Sequence, residues 1–393
     1  MSLFARTDKS IFAQWWWTVD RGMLAALLIL ATTGVMLVAT ASPPVATHIG
    51  LGPYHFLIRH MIFLVPSLAM LIGFSFLNRK LIRRMATLLY MGCIVAMIAV
   101  LFTGMEIKGA QRWLHLFGFS IQPSEFIKPA FIIVAAWLMA MQKEKPGFPG
   151  NALTAGVYAL TVILLLMQPD LGMTVIITSV WAAQIFLAGF PFRLLILLVL
   201  AGVVGLVGAY YGFDHVHSRI NRYLDPAAGD NFQVEKSLEA LRNGGFLGTG
   251  PGQGTVKLDL PDAHADFIFS VAGEEMGMLV ILVIIGLYSF ILLRGINRLM
   301  ECNDMFVILA VGGLLTMMGL QAMVHMGSAM HILPAKGMTL PFISYGGSSL
   351  LSMGLSFGVV LGLTRSSGRE GVSRGGLSLS APPRINTGSV QKP

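Results

Sequence analysis

Ten sparsely charged apolar runs dominate this 393-residue sequence, at 22–42, 57–77, 85–104, 126–141, 152–168, 171–189, 192–212, 267–293, 305–333 and 342–364. Each is close to the roughly 17 to 25 residues that cross a hydrocarbon core as a helix. Only a helix or a closed barrel satisfies its own backbone polar groups where water is absent. The expected fold is therefore an all-α polytopic membrane protein with ten transmembrane helices. Charged residues make up 12% of the chain, against about 25% in soluble domains, in keeping with that class. The first run lacks a small-residue cleavage pattern and reads as a retained span, not a removed signal peptide.

The net charge of +8 invites a nucleic-acid reading, but in a membrane protein the placement of Lys and Arg carries the information. With the N-terminus inside, 17 of the 27 basic residues fall on the cytoplasmic side, among them the Arg79, Lys80, Arg83 and Arg84 cluster. That asymmetry places both termini in the cytoplasm and removes nucleic acid from the expected partners. The parts are then a cytoplasmic segment 1–21, a membrane domain 22–364, and a Ser-, Gly- and Arg-rich tail 365–393 expected to be disordered. Trp15, Trp16 and Trp17 precede the first span, as an interfacial anchor would. The two cysteines, Cys93 in an apolar run and Cys302 in a polar loop, lie too far apart in depth to pair.

One large extracytoplasmic loop, 213–263, joins the seventh and eighth spans. Its DNFQVEKSLEALRNGG stretch predicts an amphipathic helix capped by Asp230 or Asn231 and stopped at Gly244. The glycine-rich GGFLGTGPGQG that follows has neither a preceding strand nor a Lys-Ser/Thr, so it is a tight turn and not a phosphate loop.

Polar groups crowd the outer ends of several spans. Asp266 opens the eighth span, where it is either a helix cap or a functional carboxylate beside His264. Glu274 and Glu275 lie about 12 to 14 Å further along a regular helix and need a wet cavity or a basic partner such as Lys128. The segment 103–132 carries Arg112, Trp113, Glu125 and Lys128. Arg112 and Trp113 suit a phosphate and a sugar, or a loop anchor, and Glu125 can neutralise Lys128 three residues on. In QPDLG, Asp170 is a junction carboxylate or a turn residue. Prolines and glycines between 334 and 347 forbid a regular helix, which leaves Ser344, Gly346, Gly347 and Ser348 as a candidate anion nest with Lys336 nearby. Beyond them Gly354, Gly358 and Gly362 form a close-packing seam. No metal-ligand spacing occurs. The clusters converge on the outer surface and point to an amphipathic, anionic, lipid-linked substrate.

The stretches GAQRWLHLFGFSIQPSEFIKPA, QPDLG, RNGGFLGTGPGQGTVKLDLPDAHADFIFSVAGEE and LPAKGMTLPFISYGGSS, in this order, resemble the SEDS (shape, elongation, division and sporulation) family of peptidoglycan glycosyltransferases. AKGMTLPFISYGGSS and WWWTVDR are more similar to its division branch than to its elongation branch. The resemblance implies polymerisation of lipid II at the bacterial inner membrane, at the division septum, with Asp266 matching the family's essential outer-loop carboxylate. It also matches Arg112, Trp113 and Lys128 to substrate-binding positions. It implies a class B penicillin-binding transpeptidase and other division proteins as partners. A divalent cation, magnesium or manganese, is a candidate aid to the leaving pyrophosphate. His325 stands where the family often has Asn, and Ala265 where it often has Thr. A lipid II flippase and a non-catalytic division scaffold are the competing readings.

Overall fold

The computed structural model describes residues 10–373 except 104, 108–109, 117, 213–216, 218–220, 222–231 and 335–336. The predicted caps Asp230 and Asn231, and Lys336, lie outside the described residues.

Twelve helices run through the described chain: α1 (Ile11–Thr18), α2 (Arg21–His48), α3 (His55–Ser75), α4 (Arg79–Thr103), α5 (Pro123–Glu144), α6 (Gly150–Met167), α7 (Leu171–Leu187), α8 (Phe192–Gly212), α9 (Phe232–Gly244), α10 (Ile268–Met300), α11 (Met305–Ala329) and α12 (Gly347–Ser373). Eight of them, α2 to α6 and α10 to α12, are long and apolar enough to cross a membrane. The other two predicted spans correspond to α7, an apolar helix of 17 residues, and to α8. The loop before α5 adds what the periodicity did not predict, a three-stranded antiparallel meander of β1 (Met105–Ile107), β2 (Ala110–Leu116) and β3 (Phe119–Ile121). Helical backbone also continues to Ser373, into the segment expected to be a tail.

Burial sorts the helices. The residues of α5, α11 and α12 are mostly inside the protein, whereas α3, α4, α6 and α10 turn most of their apolar surface outward, as helices facing lipid do. The glycine seam of α12 works as packing. A β-carbon at Gly354 would stand 2.3 Å from the Ser67 carbonyl, and one at Gly358 2.8 Å from that of Leu71, so α12 lies directly on α3.

At one end of the bundle Asp20 caps α2 through the Met23 amide (3.0 Å) and receives Arg294 Nε (2.5 Å) and Arg298 Nε (3.1 Å) from α10. Buried beneath both guanidinium groups, Asp20 ties the start of α2 to the end of α10. The three tryptophans divide. Trp15 is buried, stacked on Phe76 at 5.2 Å, with Nε1 donating to Ser75 Oγ at 2.7 Å, while Trp17 stays exposed beside Arg21. Trp15 is thus a packing residue and not an interfacial anchor, because α1 folds back against the end of α3.

α10 is not continuous. Gly277 has φ 75° and ψ −178°, and the helix breaks there. The Met278 and Leu279 amides donate instead to the carbonyls of Gly245 (3.1 Å) and Phe246 (3.4 Å). A β-carbon at Gly277 would sit 2.4 Å from the Gly248 nitrogen, so both conformation and space demand glycine. Gly277→Ala is expected to lower stability by about 2 kcal/mol or more, since it adds backbone strain to a clash. Gly286→Ala, where a β-carbon meets nothing within 4 Å, is the matched control in thermal unfolding of the detergent-solubilised protein.

Candidate functional site

The residues 262–267 form a turn that ends at Phe267, which is the N-cap position of α10 and makes no side-chain cap bond. Asp266 is therefore not the helix cap that its residue type allowed. Its amide donates to the Asp262 carbonyl at 3.0 Å and its side chain is half-buried.

The irregular segment 337–346 holds this turn in place. Ser344 Oγ donates to the Ala265 carbonyl (2.7 Å) and accepts from the Leu340 amide (2.8 Å), and the Tyr345 amide donates to the His264 carbonyl (3.0 Å). Gly337, at φ 58°, passes so near that a β-carbon there would be 3.1 Å from Asp266 Oδ2. The segment itself is pinned from behind, by Tyr288 donating to the Pro341 carbonyl (2.6 Å) and by His325 Nδ1 at 2.6 Å from the Met338 carbonyl. His325 thus anchors backbone.

These bonds change the reading of the serine-glycine stretch. The amides of Ser344 and Tyr345 are spent on protein carbonyls, and Ser344 and Ser348 are buried. Ser348 Oγ accepts from the Gln122 amide at 2.9 Å. β-Carbons at Gly346 and Gly347 would stand 2.8 Å from Thr339 Cγ2 and 2.7 Å from the Phe63 ring. The stretch acts as a fastener between elements, because each small residue admits a neighbour and each hydroxyl finds a backbone partner.

The other predicted residues meet at the far side of the same fastener. Ser352 Oγ donates to the Glu125 carbonyl (2.7 Å), and the Met338 methyl lies where a β-carbon on Gly172 would be 2.7 Å away. Glu125 Oε2 and Lys128 Nζ, both buried, are 2.8 Å apart, the pair their spacing allowed. Arg112 Nε donates to the Gln168 carbonyl (3.0 Å) and Nη2 to that of Pro169, so the guanidinium closes the QPD turn. Nη1 remains 3.9 Å from Asp170 Oδ1, and Arg112 is partly exposed. Asp170 caps α7 through the Met173 amide at 3.3 Å. Burial pushes its carboxyl up, against the pull of Arg112. Trp113 is half-buried on β2, paired with Met105 of β1.

Glu274 and Glu275 do not reach Lys128. Glu274 Oε1 accepts from Asn243 Nδ2 (3.0 Å) and the amides of Thr255 (2.8 Å) and Val256 (2.7 Å), and Oε2 from the Lys257 amide (3.0 Å). Glu275 pairs with the Lys257 ammonium, which also donates to the Thr40 carbonyl of α2 at 3.0 Å. Both glutamates are fully buried and both are structural.

Lys257, Tyr345, Phe56 and Arg59 were not read as site residues. His264 stacks on Phe56 (ring centroids 4.1 Å apart) and lies 5.1 Å from Tyr345, whose hydroxyl meets Arg59. The only sequence signal for Lys257 was a lone cation among the alternating apolar residues of TVKLDL. Among the described residues no three His, Cys, Asp or Glu side chains gather closely enough to hold a metal ion, so protein ligands alone do not fit one.

Two outcomes follow from these contacts. Lys257→Met should cost about 3–5 kcal/mol because it strands the buried Glu275 charge, and adding Glu275→Gln should recover part of the loss in thermal unfolding. Burial against Phe56 and Tyr345 pushes the His264 imidazole down to about 4, so it is neutral at neutral pH. An unfolded chain takes up that proton near 6.5 while the folded one does not, so its contribution to stability is lost as pH falls from there towards about 4. The melting temperature of His264→Gln should fall less over that window than that of the unaltered protein.

Residues 21–368 match the FtsW/RodA/SpoVE family, described as cell cycle proteins. The chain is 43% identical over 363 residues to a probable peptidoglycan glycosyltransferase FtsW of Caulobacter vibrioides, covering 92% of this chain and 93% of that one. It is 34% identical over 353 residues to the corresponding protein of Geobacter metallireducens, covering 88% and 94%. In structure it is similar to a chain from a peptidoglycan synthase complex that coordinates polymerization and crosslinking (TM-score 0.74, 26% identity, 89% of this chain and 98% of that). It is also similar to the Thermus thermophilus rod shape determining protein RodA (TM-score 0.67, 26% identity, 90% and 98%). The match along nearly the whole chain, with the clasped Asp266 turn inside it, makes this protein a member of the FtsW/RodA/SpoVE family.

Proposed function

We propose that the protein is a peptidoglycan glycosyltransferase that polymerises lipid II into glycan strands during septal wall synthesis. The observation that carries this reading is the half-buried Asp266, fixed by Ser344 and Tyr345 in a turn at the mouth of a spanning helix, within a chain 43% identical to a probable FtsW glycosyltransferase.

The acceptor sugar's 4-hydroxyl attacks the anomeric carbon of the donor. Its proton passes to the Asp266 carboxylate, and the bond from that carbon to the pyrophosphate breaks, releasing undecaprenyl pyrophosphate with inversion. A single general base suffices for such a displacement, provided it lies within hydrogen-bond reach of the hydroxyl. Fixing the backbone of the two residues before Asp266 limits how far the carboxylate wanders from that position. Arg112, partly exposed, is the described cation best placed to meet a pyrophosphate, while Lys128 acts through its ion pair with Glu125. A class B penicillin-binding transpeptidase is the expected partner, since a similar chain comes from a complex that couples polymerization to crosslinking.

A flippase would use the same outward-facing charges, and the two differ in product. Purified protein with its transpeptidase should convert lipid II into polymer, and Asp266→Asn should slow this by about 10²-fold or more with little change in thermal stability. Full-rate polymer from that variant would sink the assignment. Transfer of labelled lipid II across liposomes without polymer would favour the flippase.

A further inference from the structure

The tip of the glycine-rich loop carries two of the most exposed large apolar side chains outside the spanning helices, Phe246 at 57% and Leu247 at 75%. Residues 244–254 contain no charge. The tip is bolted to the break in α10 from both sides. Gly245 and Phe246 accept the Met278 and Leu279 amides, and the Thr249 and Gly250 amides donate to the Glu274 and Glu275 carbonyls, both at 2.9 Å. A β-carbon at Gly248 would sit 2.3 Å from the Glu275 carbonyl, so the two backbones are in direct contact. Phe246 and Leu247 are therefore held at the level of Met278 and Leu279.

That level belongs to the outward face of a membrane-spanning helix. Met278, Leu279, Leu282 and Val283 are all exposed, on the helix with the highest hydropathy among the candidate spans. The backbone flanking the tip is also hydrogen-bonded within the protein. The amides of Gly245, Gly248, Thr249 and Gly250 each reach a protein carbonyl. Irregular backbone persists at membrane depth only when its polar groups are satisfied internally.

We propose that the Phe246–Leu247 tip inserts among the acyl chains of the outer leaflet, as an extension of the lipid-facing surface of α10. The occupant is lipid because the patch continues the outward apolar face of a membrane-spanning helix, to which its backbone is hydrogen-bonded on both sides. The inserted tip keeps the large outer loop down on the bilayer, level with the headgroups from which a lipid-linked substrate would arrive.

The test is collisional accessibility of a nitroxide at Leu247→Cys in the full-length protein, with Cys302→Ser to leave only the buried Cys93. The protein is placed in nanodiscs of phosphatidylethanolamine and phosphatidylglycerol. Val283→Cys serves as the lipid reference and Glu239→Cys, on exposed α9, as the aqueous one. The label at 247 should collide with oxygen several-fold more than with a nickel chelate, matching position 283. A label that matches position 239, or one shielded from both agents by a protein contact, overturns the proposal. If Leu247→Cys does not fold, the same comparison at Phe246→Cys decides. Depth is read here without turnover, so the result is independent of whether Asp266 is the base.

Discussion

Four N–H groups converge on the Glu274 carboxylate, and the outer half of the molecule is arranged around them. A buried carboxylate is costly unless its lone pairs are filled, and here three consecutive backbone amides and one side-chain amide fill them. In return the loop 244–257, rich in glycine and poor in apolar anchors, acquires a fixed course. Next to it the Lys257–Glu275 pair ties that course to α2. The deep carboxylate is thus an organiser of the loop.

A second device works from the other side. The segment between α11 and α12 has no regular structure, yet Tyr288, His325, Ser344 and Tyr345 give its backbone and that of the 262–267 turn partners. Its small residues let it lie against α2, where a β-carbon at Gly34 would meet the Phe342 carbonyl at 2.5 Å. The hydrogen bonds to the Ala265 and His264 carbonyls hold the backbone next to Asp266.

Spans were legible because a bilayer imposes a length on every crossing, and Glu125–Lys128 because one helical turn imposes a spacing. Other features depended on contacts that no local pattern carries. Gly277 looked like any glycine in an apolar helix, and only the Gly248 backbone beside it explains the break. Lys257 is 18 positions from Glu275 and in a loop, so no periodicity links them. The strands before α5 are as short as three residues, too brief for an alternation to register. Trp15 was misread because its sequence context gives its depth but not the presence of Ser75 and Phe76 beside it.

Two fastenings join α2 to α10, one at each end. Asp20 receives Arg294 and Arg298 near the inner surface, and the Thr40 carbonyl receives Lys257, and through it Glu275, near the outer one. Twenty residues of helix separate Asp20 from Thr40, about 30 Å, so the pair is a strut braced across the bilayer. A strut held at both ends transmits tilt but resists sliding. Because Glu275 precedes the Gly277 break, any motion of the helix segment that follows Asp266 must carry α2 with it or part the Lys257 tie, and a push on the Asp20 staple would reach the other end of the pair as a change of angle.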